Sequence, residues 1–167
     1  MRHLIFYFIV FGTFVNTVSC NRQGTSDNNK YVDLDLIYKQ NVQDSTLATG
    51  WYYILENDNG FKRQLDKTDN FYFIDPKPII VKEHIKNARI VTDSDSKKYL
   101  SVQILRKYTH LWADATENAI GKQLGFVIDD KLILAPTVKA RIEGGKFQAL
   151  WGYDKDELEK FKKKLIE

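Results

Sequence analysis

The stretch that decides the fold is FVIDDKLILAP, residues 126–136, in which two adjacent aspartates separate two apolar runs. Adjacent residues of a strand point to opposite faces, so Asp129 and Asp130 within a strand could not work as a pair on one substrate. Aspartate tolerates left-handed backbone angles and hydrogen-bonds locally, which suits the central positions of a tight turn. The stretch is therefore predicted to be a β-hairpin that turns at Asp129-Asp130.

Segments with strand-like patterns lie upstream of this hairpin. WYYILE (51–56) and FKRQLDK (61–67) flank Asn59-Gly60, a dipeptide typical of hairpin turns, and predict a second hairpin. FYFIDPKPI follows as a predicted strand broken by Pro76 and Pro78, because proline cannot donate to a central ladder. Further strands are predicted at 99–108 and 146–151.

Two helices are predicted in the second half of the chain. One runs from Thr109 to Ile120, and the other begins at about Lys155, where Asp154 and Glu157 form a capping-box pattern. Strands joined by short turns and interrupted by a few helices predict an α+β fold. We expect mainly antiparallel β-sheet with helices packed on one face.

The first thirty residues differ in composition from the rest. Residues 1–20 have a basic start and an apolar run that is shorter than the roughly 20 residues needed to span a bilayer. We expect residues 1–19 to be a cleaved signal peptide. The ending TVSC resembles a bacterial lipobox, so Cys20, the only cysteine, is expected to carry the lipid. An ordinary signal peptide with an incidental cysteine is the alternative.

A lipid on Cys20 would anchor the protein to a membrane of the bacterial cell envelope, facing the periplasm or the cell surface. Residues 21–30 contain no apolar side chain, so residues 20–30 are expected to be a flexible tether. Residues 31–167 are expected to form a single domain.

The charge of the chain excludes one class of partner. Its 167 residues include 25 basic and 22 acidic residues, a formal net charge of +3, and the two signs are interspersed. Nucleic-acid binding would require a concentrated basic face, so no nucleic-acid partner is expected.

No catalytic, cofactor-binding or metal-binding constellation is recognisable. His84 and His110 have no histidine partner at metal-ligand spacing, and the sequence contains no GxSxG nucleophile motif. DSDS at 93–96 opens like a calcium loop, but Lys97 occupies a ligand position. The protein is therefore predicted not to be an enzyme and to need no cofactor.

The segment GKQLGFVIDDKLILAPTVKARIEGGKFQ, residues 121–148, resembles the head subdomain of the first periplasmic domain of the protein-export factors SecD and SecDF. The resemblance covers about residues 72–151. It departs from the family at Asp130, where the family has a turn glycine. The positions that match the family motif are Thr116, Gly121, Lys122, Asp129, Ala135, Pro136, Gly144 and Gly145, and Asp130 occupies the position of the turn glycine.

The resemblance implies a SecD-head-like domain that engages translocating polypeptide and carries no catalytic residues. WYYILE and KFQALW are expected to be strand edges that pair with an unfolded chain, as β-augmenting modules do. Trp51, Tyr53 and Trp151 would supply apolar contact. The partner is then unfolded polypeptide or an envelope protein complex. The alternatives are a structural or inhibitory lipoprotein of such a complex, and an envelope hydrolase with a cryptic site.

Overall fold

Eight strands and three helices follow one another in the computed structural model, which describes residues 32–167. Single 3₁₀ turns lie at Lys82–His84 and Arg106–Tyr108. Of the helices in this part of the chain, none is long and apolar enough to cross a membrane. In chain order the elements are α1 (Leu34–Asp44), β1 (Gly50–Leu55), β2 (Phe61–Gln64), β3 (Phe71–Val81), β4 (Ile85–Thr92), β5 (Lys98–Ile104), α2 (Thr109–Asn118), β6 (Leu124–Ile128), β7 (Lys131–Leu134), β8 (Lys146–Ala149) and α3 (Lys155–Ile166).

The strands form two antiparallel sheets, which confirms the predicted α+β class. The larger sheet has the order β2-β3-β1-β6-β7, and the smaller has the order β4-β5-β8. The N–H of Asp66, just after β2, donates to the carbonyl of Leu132 in β7 at 2.9 Å. The larger sheet is therefore curled. Its two outer strands are thereby brought together around a small apolar cluster that includes Tyr52 and Ile74.

The main core lies between the two sheets and the helices α2 and α3. Trp51 of the larger sheet packs on Phe147 of the smaller one and on Trp112 of α2, with ring centroids 5.3 and 5.1 Å apart. Leu158 and Leu165 of α3 belong to the same cluster. Helix α3 begins with the predicted capping box, in which Asp154 and Glu157 bond each other's backbone N–H.

The turn at Asp129-Asp130 is confirmed. Ile128 pairs with Lys131, so the loop has two residues, and φ is 48° at Asp129 and 63° at Asp130. These are the two positive angles that a type I′ hairpin requires.

The hairpin predicted at Asn59-Gly60 is wrong. Strand β3 lies between β1 and β2, so the two predicted arms do not pair. Gly60 is needed for a different reason: a Cβ there would lie 2.5 Å from the carbonyl oxygen of Ile74. The glycine permits close approach to β3, and its φ is not positive.

The expected break at Pro76 and Pro78 does not end the strand, since β3 runs through both prolines, but the register of its pairing with β1 shifts on either side of Pro78. Strand β2 pairs only with Phe71–Ile74, so no strand ladder is required on that side of β3 at the prolines. Helix α1 covers this side, where Asn41 donates to the carbonyl of Pro76 at 2.8 Å.

Candidate functional site

An apolar groove of about 430 Å³ runs along the outer edge of β8. The chain from Pro136 to Ala140 forms its opposite wall, and Trp51 and Trp112 contribute to its lining from the core. The remaining lining residues are Thr116, Leu124, Ile142, Lys146, Phe147 and Gln148.

The start of this wall is fixed to the segment that precedes β6. Val138 donates to the carbonyl of Lys122 at 2.8 Å, and its own carbonyl accepts from Gly121 at 2.9 Å. The side chain of Gln123 donates to the carbonyl of Ala135 at 2.7 Å. The motif residues Gly121, Lys122 and Ala135 therefore position the groove wall, a role that spacing alone did not reveal.

The end of the wall is fixed to helix α2. The buried hydroxyl of Thr116 donates to the Trp112 carbonyl at 2.9 Å and accepts the N–H of Ile142 at 2.9 Å. Arg141 forms ion pairs with Asp114 and Glu117 on the same helix. The motif threonine thus supports the loop and makes no contact that suggests chemistry.

The Gly144-Gly145 corner leads the chain into β8. Gly145 has a φ of 58°, and a Cβ there would lie 2.4 Å from Cγ2 of Thr109. Only glycine satisfies both the positive angle and the close contact. The corner therefore determines where the edge strand begins.

The outer edge of β8 carries unpaired backbone groups. Ile104 donates to the carbonyl of Gly145 at 2.8 Å, and bonded and non-bonded pairs alternate along an antiparallel ladder. The backbone N–H and C=O groups of Phe147 therefore bond to β5. The backbone N–H and C=O groups of Lys146 and Gln148 point away from β5. Within residues 32–167, no strand pairs with that side.

Two polar atoms of the groove lining also lack partners. The indole nitrogens of Trp51 and Trp112 are buried, and neither finds a hydrogen-bond acceptor in the described part of the chain. A buried unpaired donor costs about 1–3 kcal/mol, so such groups are uncommon in folded proteins.

The three aromatic residues expected to bind polypeptide do not lie together. Trp51 is 3% exposed and belongs to the core, and its strand β1 is flanked on both sides by β3 and β6, so WYYILE is not an edge. Tyr53 lines a separate apolar cleft of about 270 Å³ between β3 and α2. Trp151 is 44% exposed and stacks on Tyr99 at 4.1 Å.

Of the two expected edges, only KFQALW forms one. Trp112 was missed as a groove residue because, at helical spacing, a tryptophan that faces the core and one that lines a groove look alike. Nothing in the sequence pattern separates the two cases.

Another cleft, of about 560 Å³, lies where β2 approaches β7 and is lined mainly by polar residues. Two charged residues of its lining, Arg63 and Asp130, form an ion pair at 2.6 Å. The other turn carboxylate, Asp129, pairs with Lys164 at 2.6 Å. In the described part of the chain, no three His, Cys, Asp or Glu side chains are grouped so that they could hold a metal ion.

Comparison with known families gives a match over most of this domain. The sequence model of the SecDF P1 head subdomain matches residues 57–161, which is more than half of the chain.

Curated relatives that match are protein translocase subunits SecD. SecD of Rhodobacter capsulatus is 29% identical over 75 residues, covering 45% of this chain and 14% of that protein. SecD of Rickettsia conorii is 25% identical over 123 residues, covering 65% of this chain and 24% of that protein. The chain therefore spans less than a quarter of the length of these relatives.

Two solved SecDF structures share the fold, each with a TM-score of 0.57 and 15% sequence identity. One is SecDF in a super-membrane-facing form, and the match covers 81% of this chain and 21% of that chain. The other is described as a membrane component that enhances protein export, and the match covers 82% of this chain and 70% of that chain.

Proposed function

The chain belongs to the SecDF P1 head subdomain family, and we propose that it is a lipid-anchored cell-envelope protein whose domain binds extended polypeptide without catalysis. The observation that carries this proposal is the unpaired edge of β8 beside an apolar groove. An extended segment bound there would satisfy the outward backbone groups of Lys146 and Gln148 and would lay apolar side chains into the groove.

The contacts of the two turn aspartates support a binding role. Asp129 and Asp130, the adjacent carboxylates of the hairpin turn, are both engaged in ion pairs that hold the turn. The buried threonine of the family motif is likewise engaged in supporting a loop.

Kinship with SecD supports a role linked to protein export, since SecD is a protein translocase subunit. The proposed anchor is Cys20, preceded by a signal peptide at 1–19 and followed by a tether at 20–30 and a domain at 31–167. The signal peptide, Cys20 and the whole tether lie outside the described residues.

The test is titration of the full chain, purified in detergent, against a fluorescent seven-residue peptide with valine at every second position and glutamine at the others. We expect weak binding, with a dissociation constant of roughly 100 µM, because the peptide must be ordered as it docks. No saturable binding, or turnover of the peptide, would contradict the proposal.

A matched pair of variants tests where the peptide binds. Gln148→Pro removes an outward N–H without removing a bond to β5, whereas Gln148→Ala keeps that N–H. Only the proline variant should lose binding. Should Gln148→Pro fail to fold, Ala140→Trp, which fills the groove from an exposed position, gives the same test. Unchanged affinity in Ala140→Trp would place binding elsewhere and contradict the proposal.

A further inference from the structure

A second concave surface lies on the opposite side of β8 from the groove. It is a depression of about 390 Å³ on the outer face of the three-stranded sheet. Four basic residues contribute to its lining: Lys86 and Arg89 from β4, Arg106 from the 3₁₀ turn, and Lys146 from β8. The other lining residues are Asn87, Ser101, Gln103, Ile104, Thr109 and Gly144, so the lining contains no carboxylate.

These four basic side chains have no acidic partner within residues 32–167. The ion pairs of the described part of the chain include none of them. The neighbouring carboxylate Glu143 pairs with Arg141, which faces α2. The depression therefore has an uncompensated positive charge, although the chain as a whole carries only +3.

Strand β8 connects this depression to the groove. Successive side chains of a strand point to opposite faces. Phe147 and Ala149 are buried towards the core, whereas Lys146 and Gln148 are exposed on the outer face. A strand added to the free edge of β8 must follow the same alternation, because cross-strand neighbours share a face.

The added strand would consequently meet two different environments. Its residue opposite Phe147 would face the apolar groove, whereas its residues opposite Lys146 and Gln148 would lie on the outer face, where Lys146 borders the basic depression. We propose that the domain selects extended segments in which apolar residues alternate with acidic ones. This inference rests on the proposed function and specifies the class of polypeptide that it takes.

Charge complementarity determines the expected size of the preference. Exposed ion pairs are individually weak, so a few such pairs amount to roughly a tenfold change in affinity. Salt screens exposed charges over about 8 Å at physiological ionic strength, so the preference must shrink as salt is raised.

The experiment compares three seven-residue peptides on the full chain in detergent by fluorescence anisotropy. All have valine at every second position, and the intervening residues are glutamate, glutamine or lysine. We expect the glutamate peptide to bind about tenfold more tightly than the lysine peptide, with glutamine between them. The difference should be largely lost at about 1 M salt, where the screening length is roughly 3 Å.

A double variant, Arg106→Gln with Lys146→Gln, should abolish the difference in affinity between the glutamate and lysine peptides. The double variant Lys155→Gln with Lys160→Gln removes the same charge from exposed positions on α3 and should keep the preference. Both substituted sets are exposed, and melting temperatures verify folding. If either variant does not fold, the affinities of the three peptides for the unsubstituted chain still test the inference.

Three outcomes would overturn the inference. Equal affinity for all three peptides would remove the specificity and leave the proposed function standing. Failure of every peptide to bind would remove both. Binding of vesicles that contain phosphatidylglycerol through Arg106 and Lys146, with no discrimination among the peptides, would assign the basic depression to a membrane surface instead.

Discussion

Asp130 holds together three segments that are distant in the sequence. Its carboxylate accepts the N–H of Leu47 at 2.8 Å and binds the guanidinium of Arg63 through Nη2 at 2.6 Å and Nε at 3.0 Å. The SecD-like motif has glycine at this turn position, so the aspartate accepts an unfavourable φ of 63° and gains charge-assisted hydrogen bonds. If only the turn conformation mattered, Asp130→Gly would leave stability unchanged or raise it slightly, because glycine accepts a positive φ without steric cost.

With these contacts, we expect Asp130→Gly to lower the free energy of unfolding by about 0.5–2 kcal/mol. Lost hydrogen bonds to charged groups contribute about 1.5–3 kcal/mol, and relief of the positive φ offsets about 1 kcal/mol. Urea unfolding measures the change. In an Arg63→Ala background the loss should be smaller, because part of the interaction is already gone. An Asp130→Gly variant as stable as the parent would contradict this account.

His84 is a buried histidine with no hydrogen-bond partner for either ring nitrogen in the described part of the chain. Its side chain is fully buried and stacks on Tyr108, with ring centroids 3.8 Å apart. Burial lowers the pKa of His84 from 6.5 to about 4, and the nearby charge of Lys107 acts in the same direction. The folded protein therefore favours the neutral ring.

Because the folded-state pKa of His84 is below its unfolded value, the unfolded chain binds this proton first as pH falls. The contribution of His84 to stability is complete above pH 6.5 and declines as pH falls towards about 4. The loss should be roughly 2–3 kcal/mol by about pH 4.5. Urea unfolding of the parent and of His84→Phe at several pH values isolates this term, and identical pH dependence of the two would refute it.

At the scale of elements, the loop between β7 and β8 is a wall held at both ends. One end bonds to the segment before β6, and the other bonds to α2 through Thr116 and Arg141. The position of the groove wall therefore depends on a few hydrogen bonds and ion pairs at its two ends. Regions with few buried contacts open most readily, so the wall is where local opening should begin.

Thr116→Val keeps the side-chain volume but leaves the N–H of Ile142 without its acceptor. We expect faster hydrogen exchange at residues 138–143 and weaker peptide binding, because an unsatisfied half-buried donor costs about 1–3 kcal/mol. Hydrogen-exchange mass spectrometry measures the effect. Thr46→Val, an exposed site in the connection from α1 to β1, is the control. Unaltered exchange at residues 138–143 would show that Thr116 does not hold the wall.

At the scale of the whole molecule, the proposed anchor would determine where the groove works. A lipid on Cys20 and a tether at 20–30 would hold the domain near a membrane surface, where segments under export would be concentrated. Anchoring would then offset weak intrinsic affinity by raising the effective concentration of the partner.

Cys20→Ser should therefore move the protein from the detergent phase to the aqueous phase in detergent-phase separation of cell extracts. The physical reason is that acyl chains contribute about 0.8 kcal/mol per buried CH₂ to membrane binding. The matched control is Ser19→Ala, which changes the adjacent residue and keeps the cysteine. Complete retention of Cys20→Ser in the detergent phase would refute the anchor.

Features that depend on residues close together in the chain could be predicted from the sequence. Turn chemistry predicted the hairpin at Asp129-Asp130, and the capping pattern predicted the start of α3, because these structures form among residues a few positions apart. The strand patterns likewise predicted the α+β class.

Only the tertiary structure decided which strands pair and which edges stay free. The same apolar patterns in β1 and β8 left one strand central and the other at an edge, because pairing joins residues far apart in the chain. The predicted Asn59-Gly60 hairpin is wrong for this reason, because β3 lies between β1 and β2 and pairs with both. The groove and the basic depression also depend on this pairing, because the groove borders the free edge of β8 and the depression is lined by residues of β4, β5 and β8.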